Sequence, residues 1–398
     1  MKKLHSVLMT TGMMLPMVVF ANEGGRSVQS DANMKLYGFV RFDGTHDFGS
    51  SNTLSKGDWA GFLQTQPIEG TADAKKRGGT YLTARTSRFG IDGKLGGGAV
   101  DFKLEGDFNG TTAENSTAQP GRNGNNSTGL RIRHAYVEFN NWLVGQTWSN
   151  YEDLASLPES VQFNPSLTAS AVRQAQVRYR FNLPSSQLSF ALENGGSSTN
   201  GTSNADFDKG VDISARWSKS GDWGHLSARW ASVGYSVTNT VGTTHSARGY
   251  QTGLSGSAAV PTGKFVYGWF VGNGGGRYAW GSLIQGAVDP GSGINLYRSH
   301  AYHVGYTHNW SGTLRSNIAY ATMNFENNSN AIANVTNKSL SQLHINLIAN
   351  VAKNTELGVE YAHGKRTLMS PVISNSDNPL GSTYGQEKRL NIALTTMF

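Results

Sequence analysis

A chain of 398 residues without cysteine cannot be held together by disulfides or thiolate metal sites. Its net charge of +7 falls to +5 without the two N-terminal lysines, and the basic residues are spread along the chain at alternate positions. This distribution argues against nucleic-acid binding, which requires an exposed basic patch or a recognised module. Hydrophobic residues make up 37% of the chain and aromatic residues 10%, which fits many half-buried strands.

The N-terminus has the pattern of a secretory signal peptide. Two lysines precede an apolar run that ends at Ala21, which predicts a leader at 1–21 with cleavage after Ala21. The run is shorter than the roughly 20 apolar residues that a membrane helix needs. We therefore expect a short periplasmic segment at 22–34 and a single large domain at 35–398.

Alternation of apolar and polar residues dominates the rest of the chain. In VDFKLEGDF (100–108), apolar side chains occupy even positions and charged ones occupy odd positions. A period of two indicates a strand with one apolar and one wet face. The pattern predicts sixteen strands at about 35–47, 80–95, 100–108, 130–139, 142–151, 173–181, 187–194, 211–217, 225–230, 247–259, 264–272, 300–310, 313–324, 339–350, 355–364 and 386–398.

The connections between these strands alternate strictly, with eight long segments and seven short turns. An even strand number with long loops on one side predicts an all-β, transmembrane antiparallel β-barrel of about 16 strands, with long extracellular loops and short periplasmic turns. A soluble sandwich also alternates, but it has no reason to place every long loop at one end. Aromatics on the apolar faces fit interface girdles: Tyr179, Phe181, Trp217, Trp230, Tyr302, Tyr306 and Tyr361.

The third long connection differs from the others. EDLASLPESVQFNPSLTASAV (152–172) is too apolar for a free loop and too broken for a strand. We expect it to fold into the barrel and to face a basic wall. The candidate constriction residues on this loop are Glu152, Asp153, Glu159 and Phe163.

Arginines recur on the wet faces of the predicted strands. The guanidinium group stays charged and presents a planar donor fork that matches a carboxylate, and a ring of basic side chains selects anions. A compatible alternative is that these arginines pair with lumen acids such as Asp43, Asp101 and Glu105. The candidate pore-lining residues are Arg41, Arg88, Arg131, Arg133, Arg173, Arg178, Arg180 and Arg389. Because Arg131 and Arg133 share parity with apolar Val137, the fourth strand must contain a bulge or a change of environment.

Enzymatic signals are weak. The chain has no GxSxG or HExxH motif, and His300 and His303 fall on opposite faces of one strand, so we expect neither a metal site nor a cofactor. The sequence predicts a passive diffusion channel and not an enzyme. A closed structural or adhesive barrel and an outer-membrane hydrolase remain alternatives.

Several strings resemble Gram-negative porins: TSRFGIDG (86–93), KLEGDFNG (103–110) and LRIRHAYVEF (130–139). Together with VGQTWSNYEDLASLPESVQF (144–163) and RQAQVRYRF (173–181), they resemble the DcaP-like porin family. The resemblance implies a sixteen-stranded barrel in outer-membrane lipid and lipopolysaccharide, assembled as a homotrimer. It also implies a pore for small anionic solutes such as dicarboxylates.

The chain ends at Phe398, on the apolar face of the last predicted strand. The resemblance implies that this terminal aromatic is the assembly signal read by the outer-membrane insertion machinery. Some members of the family carry an N-terminal coiled-coil extension, but the segment at 22–34 contains no heptads. The resemblance therefore does not include this extension.

Overall fold

The computed structural model describes residues 33–50, 63–75, 77–110, 129–164, 167–196, 199–201, 210–238, 242–279, 286–326, 328, 336–370 and 381–398. The predicted leader and most of the segment at 22–34 lie outside these residues. Within the described part, no helix is long and apolar enough to cross a membrane.

The described elements are almost all strands. They are β1 (Asn33–Ser50), β2 (Arg77–Thr83), β3 (Arg88–Leu95), β4 (Val100–Gly110), β5 (Gly129–Phe139), β6 (Trp142–Trp148), β7 (Arg173–Leu183), β8 (Ser186–Asn194), β9 (Thr199–Gly201), β10 (Val211–Gly221), β11 (Gly224–Thr238), β12 (Thr244–Val260), β13 (Gly263–Asn273), β14 (Ala287–Asp289), β15 (Asn295–Leu296), β16 (Arg298–Asn309), β17 (Leu314–Phe325), β18 (Asn337–Ala352), β19 (Thr355–Leu368) and β20 (Tyr384–Met397). The helices are α1 (Ala72–Lys75) and short 3₁₀ turns at Leu63–Thr65, Gly96–Gly98, Leu154–Ser156 and Gly276–Tyr278.

The strands close into a barrel because β1 pairs antiparallel with β3 on one side and with β20 on the other. β2 and β3 both pair with β1, so they form one barrel strand that is interrupted between them. Counted in this way, the barrel has sixteen antiparallel strands, and the predicted fold class is confirmed. β9, β14 and β15 form a separate small sheet in the long connections.

The predicted second strand at 80–95 is not continuous. At the break, the Thr86 hydroxyl donates to Asp43 at 2.5 Å, and the Ser87 hydroxyl accepts the amide of Arg41 at 3.0 Å. Side-chain hydrogen bonds therefore replace part of the backbone ladder there, a competition that serine and threonine commonly offer.

The two faces of the barrel have opposite character. On β4, Leu104 faces outward and is exposed, while its neighbours Glu105 and Asp107 face inward and are buried. This arrangement is expected when lipid surrounds the barrel and water fills its lumen. The predicted bulge in β5 is present, because the register with β4 shifts between Glu105 and Gly106.

The short connections form one end of the barrel, which we call the short-turn end. The turn from β5 to β6 consists of Asn140 and Asn141, with φ of 46° and 69°. Two successive positive φ values form a tight hairpin turn whose twist matches that of its strands.

The last residue lies where the barrel closes, next to β1. Phe398 donates its amide to the Gly38 carbonyl at 3.1 Å and accepts the Gly38 amide at 3.1 Å. A Cβ atom at Gly38 would lie 2.7 Å from the Phe398 ring and 2.3 Å from the Arg88 carbonyl oxygen. Glycine is therefore needed for this close approach.

The buried apolar residues lie where long connections fold back onto the inner wall. One cluster joins Leu63 and Leu167 from two connections to small or apolar inward residues of β13 to β18, such as Ala301 and Met323. A second cluster joins Tyr151 and Tyr278 to β11. The inner wall is thus apolar where it is covered by these connections.

Candidate functional site: the lumen and its inward loop

The connection from β6 to β7 folds into the lumen, as predicted; we call residues 149–172 the inward loop. The two ends of the loop are joined by a hydrogen bond of 2.9 Å, in which the Ser149 amide donates to the Val172 carbonyl. Near these ends, Glu193 of β8 accepts the Ser149 hydroxyl at 3.1 Å and the Asn150 amide at 3.0 Å. These contacts fix the point at which the loop leaves the wall.

Asp153 is the central anchor of the inward loop. It is fully buried, and it contacts His225 at 2.9 Å, Ser255 at 2.7 Å and Arg216 at 3.3 Å on β11, β12 and β10. Burial opposes ionisation of the carboxyl group. The hydrogen bond with His225 and the charges of Arg229 and Arg216 outweigh burial and hold the pKa of Asp153 well below its usual range.

The other two loop acids are also engaged. Glu159 forms a bidentate pair with Arg315 of β17, with nitrogen–oxygen distances of 2.7 and 2.9 Å. Glu152 accepts the Ser170 hydroxyl at 2.5 Å and the Ala171 amide at 2.6 Å, both within the loop. Glu152 therefore holds the two arms of the loop together.

The far end of the loop reaches the opposite side of the barrel. Glu360 of β19 accepts the amides of Val161 at 2.9 Å and Gln162 at 3.0 Å. Arg41 of β1 donates to the Val161 carbonyl at 2.6 Å. The inward loop thus runs along the inner wall of the barrel. It contacts strands between β8 and β19, and its far end also contacts β1.

These contacts correct one expectation. Asp153 and Glu159 pair with the wall behind the loop and not with the predicted arginine wall, while Glu152 is buried within the loop. Buried Asp153 needs cations or donors, and Arg216 and His225 are within reach. Partly exposed Glu159 pairs with Arg315. Strand alternation marks such residues as inward-facing, but it cannot show which segment they contact.

The predicted arginines of β3 and β5 do form a cluster. Glu105 pairs with Arg133 at 2.8 Å and with Arg88 at 3.4 Å. Asp107 pairs with Arg133 at 3.0 Å and with Arg131 through two bonds of 2.9 and 2.7 Å. Three guanidinium groups thus share two carboxylates, and the side chain of Arg131 remains 32% exposed.

This cluster belongs to a wall with an excess of basic residues. Along the inward positions of β3 to β7, seven cations face five acids. The cations are Arg88, Lys94, Lys103, Arg131, Arg133, Arg178 and Arg180, and the acids are Asp92, Asp101, Glu105, Asp107 and Glu138. Many of these arginines therefore pair with lumen acids, as in the alternative considered from the sequence. The wall nevertheless keeps an excess of positive charge.

Three further predicted arginines lie at inward positions with different partners. Arg41 pairs with Asp43 at 2.7 Å, and Arg180 pairs with Glu138 at 2.5 Å near the short-turn end. Arg178 donates to the Gln176 side chain at 2.6 Å and to the Trp148 carbonyl at 2.6 Å. Among the described residues, no carboxylate lies within ion-pair distance of Arg178.

Two predicted pore-lining residues are not placed as expected. Arg389 faces inward but is fully buried against Asp47 at 2.7 Å, so it presents no charge to water. Arg173 has the outward parity of Ala175 and Val177, and its guanidinium group lies 4.4 Å from the Trp148 ring centre. It borders a cleft of 420 Å³ where the chain turns from β6 into the inward loop.

Phe163, the fourth predicted constriction residue, is half-buried in the inward loop. The residues 165–166 that follow it lie outside the described part of the chain. A second infolded segment, at 63–75, was not predicted from the sequence. Its Gln66 donates to the carbonyls of Ser50 at 2.7 Å and Gln386 at 2.8 Å, and Arg366 donates to the Gln66 carbonyl at 2.8 Å.

Within the described residues, no group of three or more His, Asp or Glu side chains is arranged to hold a metal ion. The contacts described above give a polar lumen that is narrowed by the inward loop.

The sequence matches the family described as DcaP outer membrane protein over residues 21–261. This chain belongs to that family. The protein is therefore an outer-membrane channel protein, and the predicted outer-membrane location is confirmed. A comparison with curated protein sequences finds no match.

Solved structures agree with the family assignment. The outer membrane channel DcaP of Acinetobacter baumannii is 26% identical, with a TM-score of 0.76, over 94% of this chain and all of that one. An anion-selective porin from Comamonas acidovorans is 12% identical, with a TM-score of 0.56, over 92% of this chain and all of that one. The trimer form of OmpT from Vibrio cholerae is 11% identical, with a TM-score of 0.55, over 92% and 99% of the two chains. The last two show only that the fold is shared.

Proposed function

We propose that this DcaP family protein is a passive channel for small, carboxylate-type anionic solutes. The observation that carries the proposal is the excess of inward cations on β3 to β7 across from a loop whose acids are engaged elsewhere. The solute path would run between the inward loop and this wall. Arg131 and Arg178 are the side chains we assign to contact the solute.

The electrostatics favour anions for two reasons. Arginine offers a rigid donor fork to carboxylates, and it stays charged at any physiological pH. In addition, Asp153 and Glu159 are neutralised by cations behind the loop, so they contribute little negative potential to the path. An excess of basic side chains along the path lowers the barrier for anions and raises it for cations.

We further propose that the channel assembles as a homotrimer in outer-membrane lipid. The outer face of β1 to β5 carries exposed large apolar residues, including Val40, Phe42, Leu104 and Ile132. Such a face suits either lipid or a neighbouring copy. The family resemblance and the trimer form of a fold relative favour a neighbouring copy for this part of the wall.

The experiment is tracer flux into liposomes that contain the purified protein. Succinate is compared with its neutral diamide and with a diamine of similar length, and protein-free liposomes give the background rate. We expect succinate to equilibrate faster than the diamine, with the diamide between them. Equal or faster flux of the diamine would contradict the anion preference, and absence of flux for all three would favour a closed barrel.

A further inference from the structure

The lipid-facing surface of the barrel has a one-sided charge distribution. Every aspartate and glutamate on the described barrel strands occupies an inward position. These acids are Asp43, Asp47, Asp92, Asp101, Glu105, Asp107, Glu138, Glu193, Asp212, Glu356, Glu360 and Glu387. Basic residues, by contrast, also occupy outward positions.

Four of these outward basic residues lie at a similar height, and we call them the outer basic belt: Arg248, Arg298, Lys365 and Lys388. Counted from the short-turn ends of their strands, they stand 12, 11, 10 and 9 residues away, in that order. A tilted strand crosses the hydrocarbon in about 9–11 residues. The belt therefore lies at the level of the outer-leaflet headgroups.

Lys365 and Lys388 form the densest part of the belt. Lys388 pairs across the strands with His363, and Lys365 pairs with Gln386 two residues further from the short-turn end. The Lys365 ammonium group lies 5.4 Å from the centre of the Tyr384 ring. Both lysines are exposed, and no carboxylate among the described residues lies within ion-pair distance of either. Two uncompensated cations thus point outward side by side.

Arg248 forms a second part of the belt on β12. It donates to the Ser232 hydroxyl at 2.9 Å and to the Val211 carbonyl at 3.1 Å, which hold its guanidinium group against the wall. It borders a groove of 420 Å³ whose lining includes the hydroxyl residues Ser236, Thr244 and Ser246. Arg298 is partly offset by Glu326 at 3.9 Å, so the inference depends on the other three residues.

We propose that the outer basic belt binds the phosphate groups of the anionic glycolipid in the outer leaflet. Basic side chains at headgroup level attract anionic lipids, and hydroxyl groups beside them can bind phosphate or sugar oxygens. The strands below the belt carry apolar outward residues such as Ile392 and Val359, which suit acyl chains. The belt lies on β12 to β20. Arg248 and Lys365 are on strands separated from the wall proposed for trimer contacts, whereas Lys388 lies on β20, which pairs with β1 at the edge of that wall.

The test measures binding of diphosphoryl lipid A to the purified protein in detergent by native mass spectrometry, with EDTA present. The variants are Lys388→Gln, Lys365→Gln/Lys388→Gln and the matched control Lys219→Gln. Lys219 also has outward parity, but it lies on β10 two residues from Gly221 at the short-turn end. We expect roughly five-fold weaker binding for Lys388→Gln, roughly thirty-fold for the double variant and no change for the control.

Wild-type protein should also bind the diphosphoryl lipid more tightly than its dephosphorylated form, and millimolar inorganic phosphate should not displace it. Equal binding by the double variant and wild type would overturn the proposal, as would indifference to lipid phosphorylation. Displacement by inorganic phosphate would indicate a site for soluble anions instead. Channel conductance checks that each variant is folded. If the double variant does not fold, the binding measured for Lys388→Gln decides the test.

Discussion

The inward arginines serve two different purposes, and their pairing distinguishes them. Arg389 is fully buried and joined to Asp47, so its charge is satisfied within the wall. Arg178 is half-buried and bonded only to neutral oxygens. We propose that the first type stabilises the barrel and that the second adds positive potential to the lumen.

Arg389→Gln tests the stabilising type. We expect the free energy of unfolding to fall by about 3–5 kcal/mol, because the substitution leaves a buried carboxylate without its main partner. It should change ion selectivity less than Arg178→Gln does, because the carboxylate that loses its partner is buried away from water. Denaturant unfolding of the detergent-solubilised protein measures the first quantity, and Arg298→Gln, at an exposed outward position, is the control. If the variant had wild-type stability but altered selectivity, Arg389 would line the pore instead of stabilising the wall.

At the scale of elements, the inward loop is positioned by its acids. Asp153 and Glu159 connect it to β10, β11, β12 and β17, while Glu360 connects its far end to β19. Because these attachments lie behind the loop, they keep it against one wall and leave the other wall open.

Asp153→Asn should loosen this attachment. The amide cannot balance the positive charges of Arg216 and Arg229, so we expect larger current fluctuations and altered single-channel conductance in planar bilayers. Asp101→Asn, at a half-exposed position near the short-turn end, should behave like wild type. Unchanged noise in Asp153→Asn would show that other contacts alone hold the loop.

The same anchor predicts a pH response. The pKa of Asp153 is lowered on folding, so its contribution is fully present above the ordinary aspartate value of about 3.9 and is lost as the pH falls through the lower folded value. Current noise should therefore stay constant between pH 7 and 5. A rise in noise within that interval would contradict the assignment of Asp153 as the main anchor.

The strands were predictable because a two-residue period depends only on local sequence, and the bulge near Arg133 followed from a clash of parity with Val137. The apolar content of 152–172 likewise indicated that it packs inside. Which wall the loop would contact was not predictable, because Asp153 and Ser255 are far apart in sequence. The burial of Arg389 against Asp47 was hidden for the same reason.

For the whole molecule, sixteen strands leave a lumen that side chains alone do not fill. The infolded segments occupy the side of β8 to β20 and reach β1. Where they pack against β11 and β13 to β18, the inner wall is apolar. The side of β3 to β7 keeps its charged residues and its excess of basic over acidic side chains. The asymmetry of the lumen thus follows from where the long connections fold.

The most direct test of this account is the zero-current potential in a planar bilayer under a potassium chloride gradient. We predict that the wild type prefers anions and that Arg178→Gln reduces this preference. The charge-neutral pair Arg180→Gln/Glu138→Gln should preserve it. Cation preference in the wild type, or an Arg178→Gln variant with unchanged selectivity, would contradict the arginine wall as the selective element.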